Sequence, residues 1–214
     1  MPETRTYQIF KYDELSDRAK ETARQWFCST AFNYSCDWEF VYEDAARMAE
    51  ILGIGLRTRP VKLMGGGTRQ GLNIYFSGFW SQGDGACFEG TYHYKPGALK
   101  AIKAEAPQDE ELQRIARELQ AVQARHFYKL TASMSHSGHY SHSGCMDVSV
   151  EHSEDPYRDI GDAEDDIRQL MRDFADWIYA QLEKEYNYQT SDEVVEEAIL
   201  ANEYTFDEDG NRED

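Results

Sequence analysis

Four residues in one short stretch, HSGHYSHSGC, recur at intervals of three: His136, His139, His142 and Cys145. Imidazole and thiolate are the side chains that hold zinc, and a bound zinc ion polarises a carbonyl or supplies hydroxide. A metal-dependent enzyme using His136 and His142 is therefore one reading of this chain. The spacing must also suit the backbone that carries it. Centring a hairpin loop on His139 makes His136 and His142 a cross-strand pair on one face, with Cβ atoms about 5 Å apart. His139 then sits at the tip, and Cys145 turns to the other face. Zinc held by His136, His139 and His142 needs the loop to bend over, and a bulge would turn Cys145 back towards the histidines. Histidines hydrogen-bonded among their serines are the competing reading.

A second group is basic. Arg57, Arg59, Lys62 and Arg69 fall within GIGLRTRPVKLMGGGTRQG, residues 53–71, on an otherwise acidic chain. Guanidinium and ammonium groups there suit an acidic or phosphate-bearing partner, and solvated charges on a loop are the plain alternative. The glycines do not make a phosphate loop, because no Gly-Lys-Ser/Thr ending or helix follows them. With Tyr75 and Phe79 from the next segment, these four form the candidate partner-binding set. A binder of small molecules or signal nucleotides would use the same arginines. Asp84, between two glycines, reads as a turn residue. No GxSxG, HExxH, Walker or dinucleotide motif occurs, and no catalytic residue is assigned.

The elements that position these groups follow from periodicity. Leu72–Tyr94 alternates as two strands about a Gly-Asp-Gly turn, with Ile74, Phe76, Trp80, Phe88 and Tyr92 on a buried face and Tyr75, Phe79 and Cys87 on the other. That register pairs Phe76 with Tyr92 and sets Gly78 opposite Gly90, implying close approach of a helix. A second hairpin spans 128–151, with Met134 opposite Gly144 and His136 opposite His142. Helical stripes run through Trp38–Leu52 after an Asp37 cap, Leu112–Val122 after an Asp109 cap, and Ile167–Leu182. The expected fold is α+β: an antiparallel sheet of two hairpins, about 72–94 and 128–151, packed on one face by four or more helices. A single domain covers 1–201, with 53–71 as a flexible basic insertion loop and 202–214 as a loose acidic tail.

Composition narrows the classes. Hydrophobic residues make up 41% and aromatics 13% of 214 residues, which is globular. Forty acids against 22 bases give a net charge of −18. Such a field disfavours direct contact with nucleic acid or anionic membrane and favours a basic partner. Four cysteines without CxxC spacing, no signal-like N-terminus and no long apolar run read as a cytoplasmic protein with reduced thiols.

The segments YFSGFWSQGDGACFEG, YKPGALKAIKAEAPQDEELQRIARELQAVQ, HSGHYSHSGC and TSDEVVEEAILANEYTFDEDG resemble a family of phage and prophage proteins, often labelled antitoxin of a toxin–antitoxin stability system. The similarity includes the opening KYDELSDRAKETARQWF. The Arg57–Gly71 stretch departs from that pattern and looks like an insertion. The resemblance implies a non-enzymatic mobile-element protein in a bacterial host cell, acting by binding a protein partner. Antitoxins and inhibitors of host defence of the anti-CRISPR or anti-restriction type belong to this class. An acidic face would compete with nucleic acid for a basic surface.

Overall fold

The computed structural model describes residues 8–31, 38–63 and 65–213. Its strands are β1 (Phe10–Lys11), β2 (Ile54–Leu56), β3 (Thr58–Lys62), β4 (Thr68–Leu72), β5 (Ile74–Phe76), β6 (Ala86–Phe88), β7 (Gly90–His93), β8 (Leu130–His136), β9 (Met146–His152), β10 (Thr205–Phe206) and β11 (Arg212–Glu213). The α-helices are α1 (Asp17–Trp26), α2 (Glu39–Leu52), α3 (Ala98–Glu105), α4 (Glu110–Arg125), α5 (Ala163–Gln189) and α6 (Asp192–Ala201). The fold is α+β. Where one domain was expected, contacts divide the chain into two compact units, Glu39–Glu183 and the pair of flanks Met1–Trp38 with Lys184–Asp214. Among the described residues no helix is long and apolar enough to cross a membrane.

In the larger unit, β2, β7, β8 and β9 form an antiparallel sheet in that order. Strand alternation sorts it: Ala132, Met134, Met146, Val148 and Val150 are buried, while Ser133, Ser135, Asp147 and Ser149 are exposed. Helical stripes cover the buried face. Leu52 of α2, Ala98 of α3, and Ala116 and Leu119 of α4 meet Tyr92 of β7 around a void of ≈ 10 Å³. Phe174 of α5 meets Phe88 edge-on, with ring centroids 5.6 Å apart. Asp109 accepts from Leu112 N–H at 2.9 Å, capping α4, and from Trp177 Nε1 at 2.7 Å, which ties α4 to α5. The Asp37 cap lies outside the described residues.

Both expected hairpins form, with shifted registers. Residues 143–145 make a 3₁₀ turn, so the second loop is longer and His136 faces Met146, not His142. Each partner moves by four residues, an even number, which preserves the faces. In the first, Ile74 faces Phe88 and Tyr75 faces Cys87, and the chain from 77 to 85 is a wide loop. Positive φ angles at Gly78, Trp80 and Gly83 end the strand early. Trp80, expected in the core, is therefore 77% exposed. Tyr92 pairs with Ile54 and Ala132, not with Phe76. Gly90 is needed for β2, not for a helix: a Cβ there would overlap the carbonyl oxygen of Gly55.

The expected flexible loop also has regular structure. Thr58–Lys62 pairs with Thr68–Leu72 as a two-stranded ribbon, with Pro60 opposite Gln70. A two-stranded ribbon is all edge, where proline is tolerated.

In the smaller unit, Tyr12, Ala19, Ala23, Phe27, Val195, Ile199 and Phe206 form a separate core. The tail expected to be loose is paired: β10 lies between β1 and β11, and Phe206 is fully buried. Arg24 bonds Glu196 at 2.7 Å and Glu21 at 2.6 Å, while Tyr12 Oη donates to Glu196 at 2.8 Å. Burial, reinforced by that bond to Glu196, pushes the Tyr12 hydroxyl up to about 12.

Candidate interaction site at a three-strand junction

Three strand runs of the larger unit are each interrupted by one residue: Arg57 between β2 and β3, Asn73 between β4 and β5, and Glu89 between β6 and β7. At each interruption the chain changes partner. β2 pairs with β7, β3 with β4, and β5 with β6. The three residues close a ring of backbone hydrogen bonds. Arg57 N–H donates to Glu89 O at 2.8 Å, Glu89 N–H to Asn73 O at 3.0 Å, and Asn73 N–H to Arg57 O at 2.8 Å. Each backbone group freed where the strands part is thus satisfied by the next arm.

The side chains at the ring are polar and concentrated. Glu89, with 13% of its side chain exposed, accepts from Asn73 Nδ2 at 2.6 Å and lies 3.6 Å from Arg57 Nη1. It also receives the His136 backbone N–H at 3.4 Å. Asn73 is 6% exposed, and its Oδ1 is buried without a hydrogen-bond partner. One layer out, the Arg59 guanidinium lies 5.0 Å from the Tyr75 ring centre, and the Tyr75 and His136 rings are 4.6 Å apart. Cation, phenol and imidazole form one stack.

The two loops beside the junction carry the remaining candidates. His142 lies against Gly85, and Cys87 on β6 is fully buried. Burial pushes the Cys87 thiol up to about 12, with Cys145 and Glu89 adding in the same direction. In the 77–85 loop, Asp84 accepts from Ser81 N–H at 2.6 Å, the turn role expected of it. Phe76 and Phe79 are 5.0 Å apart, Phe79 and Tyr179 are 5.5 Å apart, and Trp80 stands 6.3 Å beyond Phe79.

The family described as "Domain of unknown function (DUF8835)" matches residues 38–192. The chain belongs to that family. No curated protein and no solved structure matches it.

The DUF8835 segment contains every site residue singled out in the sequence, and brings some of them together. Arg57, Arg59, Tyr75 and His136 surround the junction. Arg69 is ion-paired with Glu39 instead, and Lys62 is exposed on the ribbon. Phe79 belongs to the aromatic group with Tyr179. His136 Nε2 is 2.8 Å from Tyr140 O, His142 Nε2 is 3.2 Å from Cys145 Sγ, and the His139 ring packs against Tyr140. Cys145 therefore faces His142, because the 3₁₀ turn replaces strand alternation there. Among the described residues no group of three or more His, Cys, Asp or Glu side chains is arranged to hold a metal ion. Asn73 and Glu89 escaped sequence reasoning. Each is one residue between two strand runs, and only partner switching gives it meaning.

Proposed function

We propose that this DUF8835 protein is a non-enzymatic, partner-binding protein, and that Trp80 anchors the contact. The observation that carries this reading is Trp80 itself: an indole 77% exposed on a backbone with φ of 79°, beyond the Phe76–Phe79–Tyr179 group. A bulky residue in the left-handed region costs free energy, and such strain clusters at binding sites. Exposed tryptophans are common hot spots of protein interfaces. Arg57, Arg59 and Arg69 contribute less than their charge suggests, being engaged with Glu89, Tyr75 and Glu39. The resemblance to phage and prophage proteins sets such binding in a conflict between mobile element and host, as an antitoxin or an inhibitor of host defence. The charge of −18 supports competition with nucleic acid for a basic surface.

The test is capture of a stoichiometric protein from host lysate by the wild-type chain and by Trp80→Ala, across a salt series. The variant should keep its fold and lose the partner, and rising salt should release it from the wild type. Equal recovery by both chains, or no stoichiometric partner with either, rejects the reading.

A further inference from the structure

β9 is the outer strand of the four-stranded sheet, and its ladder determines which backbone groups it leaves free. Ser153 N–H donates to Lys129 O at 2.8 Å, and bonded pairs alternate along an antiparallel ladder. With Leu130 opposite His152 and His136 opposite Met146, the bonded residues of β9 are Asp147, Ser149 and Glu151. Met146, Val148, Val150 and His152 turn their N–H and C=O groups away from β8. Leu130 agrees with this phase: its backbone groups are taken by the Gln123 side chain, at 3.2 Å and 2.7 Å. Of the outward groups, Met146 N–H bonds Ser143 O, Met146 O accepts from Arg172, and His152 O accepts from Asp155 N–H. The N–H and C=O of Val148 and Val150 have no partner among the described residues.

A groove of ≈ 270 Å³ runs beside this edge, lined by Ser133, Ser135, Asp147 and Ser149 and by Arg168 and Arg172 of α5. Glu164, which also lines it, is held by Arg168 at 2.5 Å, and Arg168 also pairs with Asp165. Arg172 has no carboxylate partner among the described residues of a chain with 40 acids. Its Nε is buried without a hydrogen-bond partner.

We propose that β9 accepts an extended segment of a partner protein as a fifth strand, and that this segment carries a glutamate or aspartate to meet Arg172. Backbone hydrogen bonds to Val148 and Val150 hold the strand, and Arg172 selects its acidic side chain. This rests on the partner-binding reading and adds a contact separate from Trp80.

The experiment titrates the full chain into a fluorescent eight-residue peptide alternating valine with glutamate, and into the same peptide with lysine for glutamate. Hydrogen exchange is followed at Val148 and Val150. The glutamate peptide should bind saturably, at least tenfold more tightly than the lysine peptide. Arg172→Gln should weaken it at least tenfold, and both valine amides should gain protection. Equal binding of the two peptides, unchanged protection at Val148 and Val150, or pairing of a second copy of this chain at the edge in place of the peptide overturns the proposal. Trp80→Ala should bind the glutamate peptide as the wild type does. If Arg172→Gln keeps a lysate partner that Trp80→Ala loses, strand addition fails while the Trp80 reading stands.

Discussion

Asn73 donates its side-chain amide to Glu89 at 2.6 Å, at a point where neither residue belongs to a strand. The bond joins two of the three arms that meet there, and it serves a carboxylate mostly withdrawn from water. Hydrogen bonds to charged groups contribute about 1.5–3 kcal/mol, whereas exposed ion pairs contribute about 0–1 kcal/mol. Arg57, 56% exposed, makes the second kind. Urea denaturation should therefore find Asn73→Ala more destabilising than Arg57→Ala. The reverse order would mean that the ion pair holds the junction.

Gly90 sits where β7 passes β2. A methyl group there meets backbone, which cannot give way as a side chain can, so Gly90→Ala should cost about 1–3 kcal/mol. Gly55→Ala meets Thr91 Oγ1 at 3.3 Å and Thr91 O at an ordinary contact distance of 3.8 Å, and should cost less. Thermal melts of the two variants give the comparison. Equal melting temperatures would show that β2 can move aside.

Alkaline pH should destabilise the larger unit before any reagent reaches its core. Burial pushes Cys87 from 9.0 and Tyr92 from 10.0 up to about 12. Between those limits the unfolded chain gives up these protons and the folded chain keeps them, so the unfolded state binds fewer. Stability is then full below about pH 9 and falls as pH rises towards 12, at about 1.4 kcal/mol per pH unit for each group within its window. Tyr92→Phe should flatten the fall between pH 10 and 12 in urea titrations. An unchanged slope would place Tyr92 in contact with water.

Zinc offers a cheap test of the histidine loop. His136 and His142 are engaged with Tyr140 O and Cys145 Sγ, and among the described residues no group of three possible ligands forms around either. Added zinc should leave the melting temperature unchanged, and dialysis against a chelator should do the same. A rise that His136→Ala or His142→Ala abolishes would show that the loop rearranges around the ion.

Periodicity makes the helices and the faces of the strands legible. Leu112, Ile115, Ala116, Leu119 and Val122 are buried together on α4, as are Ile167, Leu170, Met171, Phe174 and Ile178 on α5, because a 3.6-residue stripe has one physical solution beside a sheet. Met134 and Val148 share the buried face for the same kind of reason. Registers are harder, since loop length sets them: the 3₁₀ turn at 143–145 and the positive φ angles at Gly78 and Gly83 lengthen both loops without disturbing parity. Alternation carried past Gly78 misplaces Trp80, because the strand has already ended there. Pro60 argues against a strand that a ribbon edge accommodates. At the site, Arg57, Arg59, Tyr75 and His136 stand out as residue types. What joins them, a change of strand partner at Arg57, Asn73 and Glu89, leaves no periodic trace.

The ring at Arg57, Asn73 and Glu89 also divides the larger unit into parts that differ in their tolerance of a change in length. One residue inserted on either side of Arg57, Asn73 or Glu89 would put its arm out of phase with the other two, so those runs are intolerant of length change. The tips of the two outer arms, near residues 65–67 and 77–85, lie beyond the last paired residues of their ladders and can lengthen, shorten or accept a graft without disturbing the ring. Recognition in this family can therefore diversify at the tips of the arms while the hub that aims them stays the same.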